Sequence, residues 1–154
     1  GGEPVADIRV RYAPLKGIAI PEEQVPLAID EFPALFIAAA CADGITTLSG
    51  AEELRVKESD RIQVMADGLL DLGVECTVLD DGIQIVGKGE LPEVFGSAEI
   101  ICHHDHRIAM SFAVAGLRAS GNILIKDCAV VNTSFPGFAE LMNNVGGKLL
   151  VEQK

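Results

Sequence analysis

The densest chemistry in the sequence lies in Arg55-Val56-Lys57-Glu58-Ser59-Asp60-Arg61, a knot of cations in a chain of formal net charge −11. Glu58, Ser59 and Asp60 suit the start of a helix, where unpaired backbone N–H groups point outward. With Arg61 one turn from Lys57 and Glu58 between them, the spacing predicts a pocket of two cations and helix-terminal N–H groups. Such a pocket takes an anion, and a carboxylate set inside it is placed for proton transfer. The same seven residues would equally serve as an exposed, salt-bridged helix start.

Three other polar stretches read as helix entrances. In Cys102-His103-His104-Asp105-His106-Arg107, Asp105 would cap a helix beginning near Ile108, and His106 and Arg107 would project from its first turn. Its three histidines, acid and thiol also raise a metal cluster. Neighbours in sequence rarely converge on one ion, however, and no second ligand set accompanies them, so capping and anion binding is the preferred reading. In Ile29-Asp30-Glu31-Phe32-Pro33, the two acids precede a proline suited to the first helical position, and capping alone would explain them. Asn132-Thr133-Ser134-Phe135-Pro136 is a fourth loop entering a helix. Facing one cleft, the four entrances would make a phosphate- and carboxylate-binding site.

The elements that must carry them follow from periodicity. Residues 33–43 and 107–118 are apolar nearly all round and predict helices buried on most sides, with Gly44 and Gly121 where C-caps would fall. From Glu58 to Leu72, apolar Ile62, Met65, Leu69 and Leu72 recur at helical spacing and predict one buried face. Ile45–Leu48 and Ile123–Ile125 predict short strands. Val74–Leu79 and Ile83–Val86, parted by Asp80-Asp81-Gly82, predict a hairpin whose turn is rich in φ > 0 formers. Residues 88–97 read as a loop. Phe36–Gly50 resembles Ala113–Asp127, and with Gly73 and Gly146 this gives a repeat of roughly 75 residues, a duplicated supersecondary unit. The expected units are 21–88 and 98–154, preceded by a strand pair within 7–20 (Ile8–Tyr12 and Gly17–Ile20).

Composition narrows the class. Hydrophobic residues make up 49 % and charged residues 23 % of the 154, as in an ordinary globular domain. No basic stripe exists to neutralise nucleic-acid phosphates, and no run approaches the ~18 apolar residues of a membrane span. No leader is visible in Gly1-Gly2-Glu3-Pro4. The four cysteines, 41, 76, 102 and 128, sit singly among apolar residues, as buried free thiols of a reducing cytoplasm do.

Taken together, RVKESDR (55–61), DHRIAM (105–110), DEFPAL (30–35) and TSFP (133–136) resemble the EPSP synthases, in that family's order and spacing. The resemblance runs over essentially all of 1–154 and covers about the last third of such an enzyme. It implies an α+β fold, a partial C-terminal lobe of repeated βαβαββ units in an inside-out α/β barrel, with about two of three units present. It implies transfer of the enolpyruvyl group of phosphoenolpyruvate to the 5-hydroxyl of shikimate 3-phosphate, with release of phosphate and no metal or organic cofactor. Carried over by position, Asp30 contacts the shikimate hydroxyls and takes the 5-hydroxyl proton, and Glu58 is the acid–base residue near the methylene. Lys57, Arg61, His106 and Arg107 hold the anionic groups. Thr133 stands where many members have lysine, and the Thr-Ser-Phe-Pro loop resembles the glyphosate-tolerant class. The implied partners are the two substrates and an N-terminal lobe. By itself the chain is expected to be inactive and to self-associate through an uncovered apolar face. The related transferase acting on UDP-N-acetylglucosamine, or a non-catalytic anion-binding or interaction domain, is the alternative.

Overall fold

The computed structural model describes residues 2–152. The apolar run after Glu31 forms helix α1 (Phe32–Ala40). It buries Phe32, Phe36, Ile37 and Ala40, with the two phenylalanine rings stacked at 6.0 Å, while Leu35 faces solvent. Its burial is therefore one broad face rather than most sides. The second apolar helix, α3 (His106–Ala115), packs against it and stops earlier than expected, passing into a 3-10 turn over Gly116–Arg118.

Neither predicted glycine cap forms. Gly44, at φ +93°, lies inside strand β1 (Asp43–Leu48). Gly121 lies beyond the 3-10 turn that follows α3, and its φ is not positive.

The amphipathic run forms α2 (Arg61–Asp71), with Ile62, Met65 and Leu69 fully buried as the periodicity predicts. Strands β2 (Cys76–Leu79) and β3 (Gly82–Lys88) form the expected hairpin, and β3 also pairs antiparallel with β1, giving the order β1-β3-β2. The turn is not built on positive φ, which none of Asp80, Asp81 and Gly82 adopts. Gly82 instead permits close approach, because a Cβ would fall 1.9 Å from the Leu48 carbonyl oxygen.

In the second half, β4 (Ala98–Ile101) and β5 (Ile123–Lys126) lie parallel, with α3 as the crossover between them. A short α4 (Val131–Ser134) and α5 (Phe138–Asn144) follow. At the front, the expected strand pair takes another form. Lys16 and Ala19 make parallel bridges to Asp43 and Thr47 of β1, whereas Ile8, Val10 and Tyr12 belong to no strand and are at least 82 % exposed. β1 itself has both edges taken, by β3 and by residues 16–19.

One core unites these layers. It gathers Phe36 of α1, Met65 of α2, Ile85 of β3, Phe112 of α3 and Phe95 of the 88–97 loop. Gly68 of α2 sets the distance to α3, since a Cβ there would meet Phe112 Cζ at 2.3 Å. That close approach brings the entrances of the helices together at one end.

Candidate functional site

The entrance to α2 is shorter than the sequence reading allows. The helix begins at Arg61 and is capped by Asp60, whose Oδ1 accepts the Gln63 N–H at 3.0 Å. Lys57, Glu58 and Ser59 thus precede the helix. Arg55 turns away: its guanidinium donates to the Leu79 and Asp80 carbonyls and to Asp60, pinning the loop to the hairpin turn.

Arg61 stands at the centre, its side chain only 1 % exposed. Its Nε donates to Asp105 Oδ2 at 2.8 Å, Nη1 to Asp30 Oδ1 at 2.9 Å, and Nη2 to Glu58 Oε2 at 2.5 Å. Lys57 Nζ lies 3.6 Å from the same Asp30 oxygen and donates to Glu53 at 2.5 Å. Arg107 Nη1 donates to the Asp30 carbonyl at 2.8 Å and to Glu31 Oε1 at 2.9 Å.

Asp30 and Glu31, which capping alone would have explained, cap nothing: α1 starts without a side-chain cap. Their place is set by a 3-10 turn over Ile29–Glu31, which turns both acids toward the arginines of the two other entrances. Pro33 sits at the second helical position, where its missing N–H is still no loss.

The α3 entrance is built differently. Cys102 to Asp105 form a tight turn, with the Asp105 N–H donating to the Cys102 carbonyl at 2.9 Å and both His103 and His104 at positive φ (50° and 59°). Two left-handed non-glycine residues in a row cost about 1–3 kcal/mol each, and the turn delivers Asp105 in extended conformation to cap α3. Its Oδ1 accepts from the Arg107 N–H at 3.0 Å and the Ile108 N–H at 3.4 Å.

Electrostatics follow from this packing. Desolvation pushes the Asp105 carboxyl upward, but the Arg61 hydrogen bond and charge, with Ser59 and the helix N–H groups, outweigh it and hold the group below its ordinary range. At Asp30 desolvation again acts upward and is outweighed by the Arg61 hydrogen bond and the Lys57 and Arg107 charges. Burial lowers the Arg61 guanidinium's affinity for its proton, and the surrounding carboxylates more than restore it. Burial raises the Cys102 thiol to about 11, so it is no nucleophile. All four cysteines are free, but the expected burial holds only for Cys102; Cys41 and Cys76 are half-buried and Cys128 is exposed. No group of three or more metal-ligating side chains converges among the described residues, and no described helix is long and apolar enough to cross a membrane.

Three of the four entrances therefore meet, joining Asp30, Lys57, Glu58, Arg61 and Arg107. His106 opens α3 half-buried beside them but joins none of the hydrogen bonds described. Thr133 makes none of the cluster's hydrogen bonds: it lies exposed inside α4, and the 132–134 stretch is itself helical, with the next helix entered at Gly137. Sequence reasoning missed Asp105 as a partner of Arg61, and Glu31 as a partner of Arg107. The available signal was charge bookkeeping, since a guanidinium on a buried helix face must find carboxylates.

Chemically, the cluster is not an open anion pocket. Every cation in it is already paired with a carboxylate of the chain. Asp30 and Glu58 are about half exposed (46 % and 49 %), whereas Asp105 is fully enclosed. An anionic ligand reaching Arg61 would compete with the first two and leave the third in place.

Residues 1–142 match the family model for EPSP synthase (3-phosphoshikimate 1-carboxyvinyltransferase). The chain is 63 % identical over 146 residues to the 3-phosphoshikimate 1-carboxyvinyltransferase of Alkalilimnicola ehrlichii, covering 95 % of this chain and 32 % of that protein. It is 64 % identical over the same length and shares to that of Halorhodospira halophila. A solved EPSP synthase from Acinetobacter baumannii superposes with a TM-score of 0.88 at 63 % identity, over 90 % of this chain and 32 % of that one. The chain thus spans about a third of the length of the relatives it matches. With its motifs, its α+β fold and its whole described site inside the matched region, the chain belongs to the EPSP synthase family.

Proposed function

We propose that this chain supplies the proton-transfer half of a site that moves the enolpyruvyl group of phosphoenolpyruvate to the 5-hydroxyl of shikimate 3-phosphate, releasing phosphate. Asp30 takes the proton of the attacking hydroxyl and Glu58 serves the methylene carbon. Lys57, Arg61, His106 and Arg107 hold the anionic groups, and Thr133 is the contact of the last loop. Addition to an enol carbon needs a donor at CH2, a base at the attacking oxygen and fixed cations opposite the charge. The observation that carries the reading is that Asp30 and Glu58 are held on one buried guanidinium, at 2.9 and 2.5 Å, with both carboxylates open to solvent.

The remaining partner is the rest of the transferase, which would close over this open side and complete the phosphate contacts. Exposed Val5, Ile8, Val10 and Tyr12 favour contacts between copies when the chain stands alone.

The test is a chimera in which this chain replaces the matching third of one of its relatives, assayed for phosphate release. Release is expected with shikimate 3-phosphate as acceptor and not with UDP-N-acetylglucosamine; the purified chain alone should give none. Asp30→Asn and Glu58→Gln should each lower kcat by about 10²-fold or more. Release with the amino sugar alone would overturn the assignment, and turnover by the isolated chain would overturn the expectation that it is only part of the site.

A further inference from the structure

Asp105 is the one carboxylate of the cluster with no exposure at all, and it is the most heavily bonded. Its Oδ2 accepts from Arg61 Nε at 2.8 Å and from Ser59 Oγ at 3.1 Å; its Oδ1 accepts from the first-turn N–H groups of α3 and, at 3.5 Å, from Arg61 Nη2. With donors on both oxygens, two of them backbone, the carboxylate cannot rotate. It therefore fixes one edge of the Arg61 plane to the turn of α3 that also bears Arg107. The other hydrogens of Nη1 and Nη2 point to Asp30 and Glu58, which solvent reaches and a ligand can displace.

We propose that Asp105 is a positioning residue: it is the permanent partner that orients Arg61 relative to Arg107, so that the outer nitrogens of Arg61 are offered to an anionic substrate in exchange for Asp30 and Glu58. The proposal rests on the transferase reading above. A helix cap alone does not require it, since Asn and Ser cap about as well as Asp. Neither replaces a buried carboxylate opposite Arg61: Asn presents an amide donor on one side, and Ser is too short to span the gap.

The experiment makes Asp105→Asn and Asp105→Ser in the chimera and in the chain, with Ser59→Ala as a milder variant should either fail to fold by thermal melting. In the chimera, KM for phosphoenolpyruvate should rise by about tenfold to a hundredfold in both Asp105 variants, and less in Ser59→Ala. In the chain, the Arg61 Nε–H resonance should exchange with water about tenfold faster in the same variants, as for loss of a charge-assisted hydrogen bond. Folded Asp105 variants with unchanged KM and unchanged Nε–H exchange would leave capping as the whole role and overturn the proposal. If the unmodified chimera releases no phosphate from phosphoenolpyruvate with shikimate 3-phosphate, the transferase reading fails instead. The Nε–H measurement then still decides whether Asp105 holds Arg61.

Discussion

Replacing Arg61 by Met separates the energetic role of the central guanidinium from its chemical one. Methionine fills much of the same buried volume, so the cost arises mainly from charge. Asp30 and Glu58 are about half exposed, and water would take over their solvation, so each lost contact counts for about 0–1 kcal/mol at most. Asp105 has no such recourse. It is wholly enclosed and would keep only Ser59 and the helix N–H groups. Breaking a buried pair from one side costs about 3–5 kcal/mol, and that range is the expected loss for Arg61→Met at neutral pH.

Urea unfolding followed by far-UV circular dichroism is the suitable assay, because the chain has no tryptophan and its one tyrosine, Tyr12, is exposed. The pH dependence supplies a second signature. In the unaltered chain Asp105 binds its proton less readily than in the unfolded state, whose value is near 3.8. Its contribution is therefore fully present above that value and is lost as pH falls through the folded one. In Arg61→Met the stranded carboxyl favours its neutral form. The stability difference between the two proteins should accordingly narrow as pH falls from 7 toward 4. The double variant Arg61→Met/Asp105→Ser removes the stranded charge, keeps a cap, and should regain most of the loss. A single variant within about 1 kcal/mol of the parent, with a pH-independent gap, would refute the reasoning.

Two further outcomes test the scaffold. Gly68→Ala should gain about 1 kcal/mol of helix propensity but lose about 1–3 kcal/mol to overpacking against the buried Phe112 ring, a net destabilisation by urea unfolding; a stabilised variant would show that the α2–α3 spacing is soft. His104→Gly relieves a left-handed backbone at φ 59° and should raise stability by about 0.5–1 kcal/mol, after the greater chain entropy of glycine is offset; an unchanged or lower melting temperature would argue that the turn carries no strain.

Much of the architecture was legible in the sequence because it depends on short-range periodicity. Ile62, Met65 and Leu69 mark the inner face of α2 whatever packs against it, and the alternation around Asp80-Asp81 marks the hairpin. The motifs likewise carried the family, since RVKESDR and DHRIAM lie in contiguous stretches. What failed locally failed for a tertiary reason. Gly82 was read as a backbone-conformation residue, yet it answers to a neighbour distant in sequence, Leu48, whose carbonyl leaves no room for a Cβ. Ile8–Tyr12 has the alternation of a strand but pairs with no strand among the described residues.

The cluster marks the same boundary. By themselves Asp30, Glu58, Asp105 and Arg61 each suit an ordinary helix entrance, and their local patterns say only that such residue types stand at three separate entrances. Tertiary structure decides that these three entrances join in one hydrogen-bonded cluster, in which Thr133 makes no hydrogen bond. It also decides that one guanidinium serves three carboxylates, across separations of 3, 31 and 44 residues. The physical reason is burial. Once the close packing of α2 on α3 withdraws Arg61 from water, its charge must be matched by whatever carboxylates the fold brings within reach.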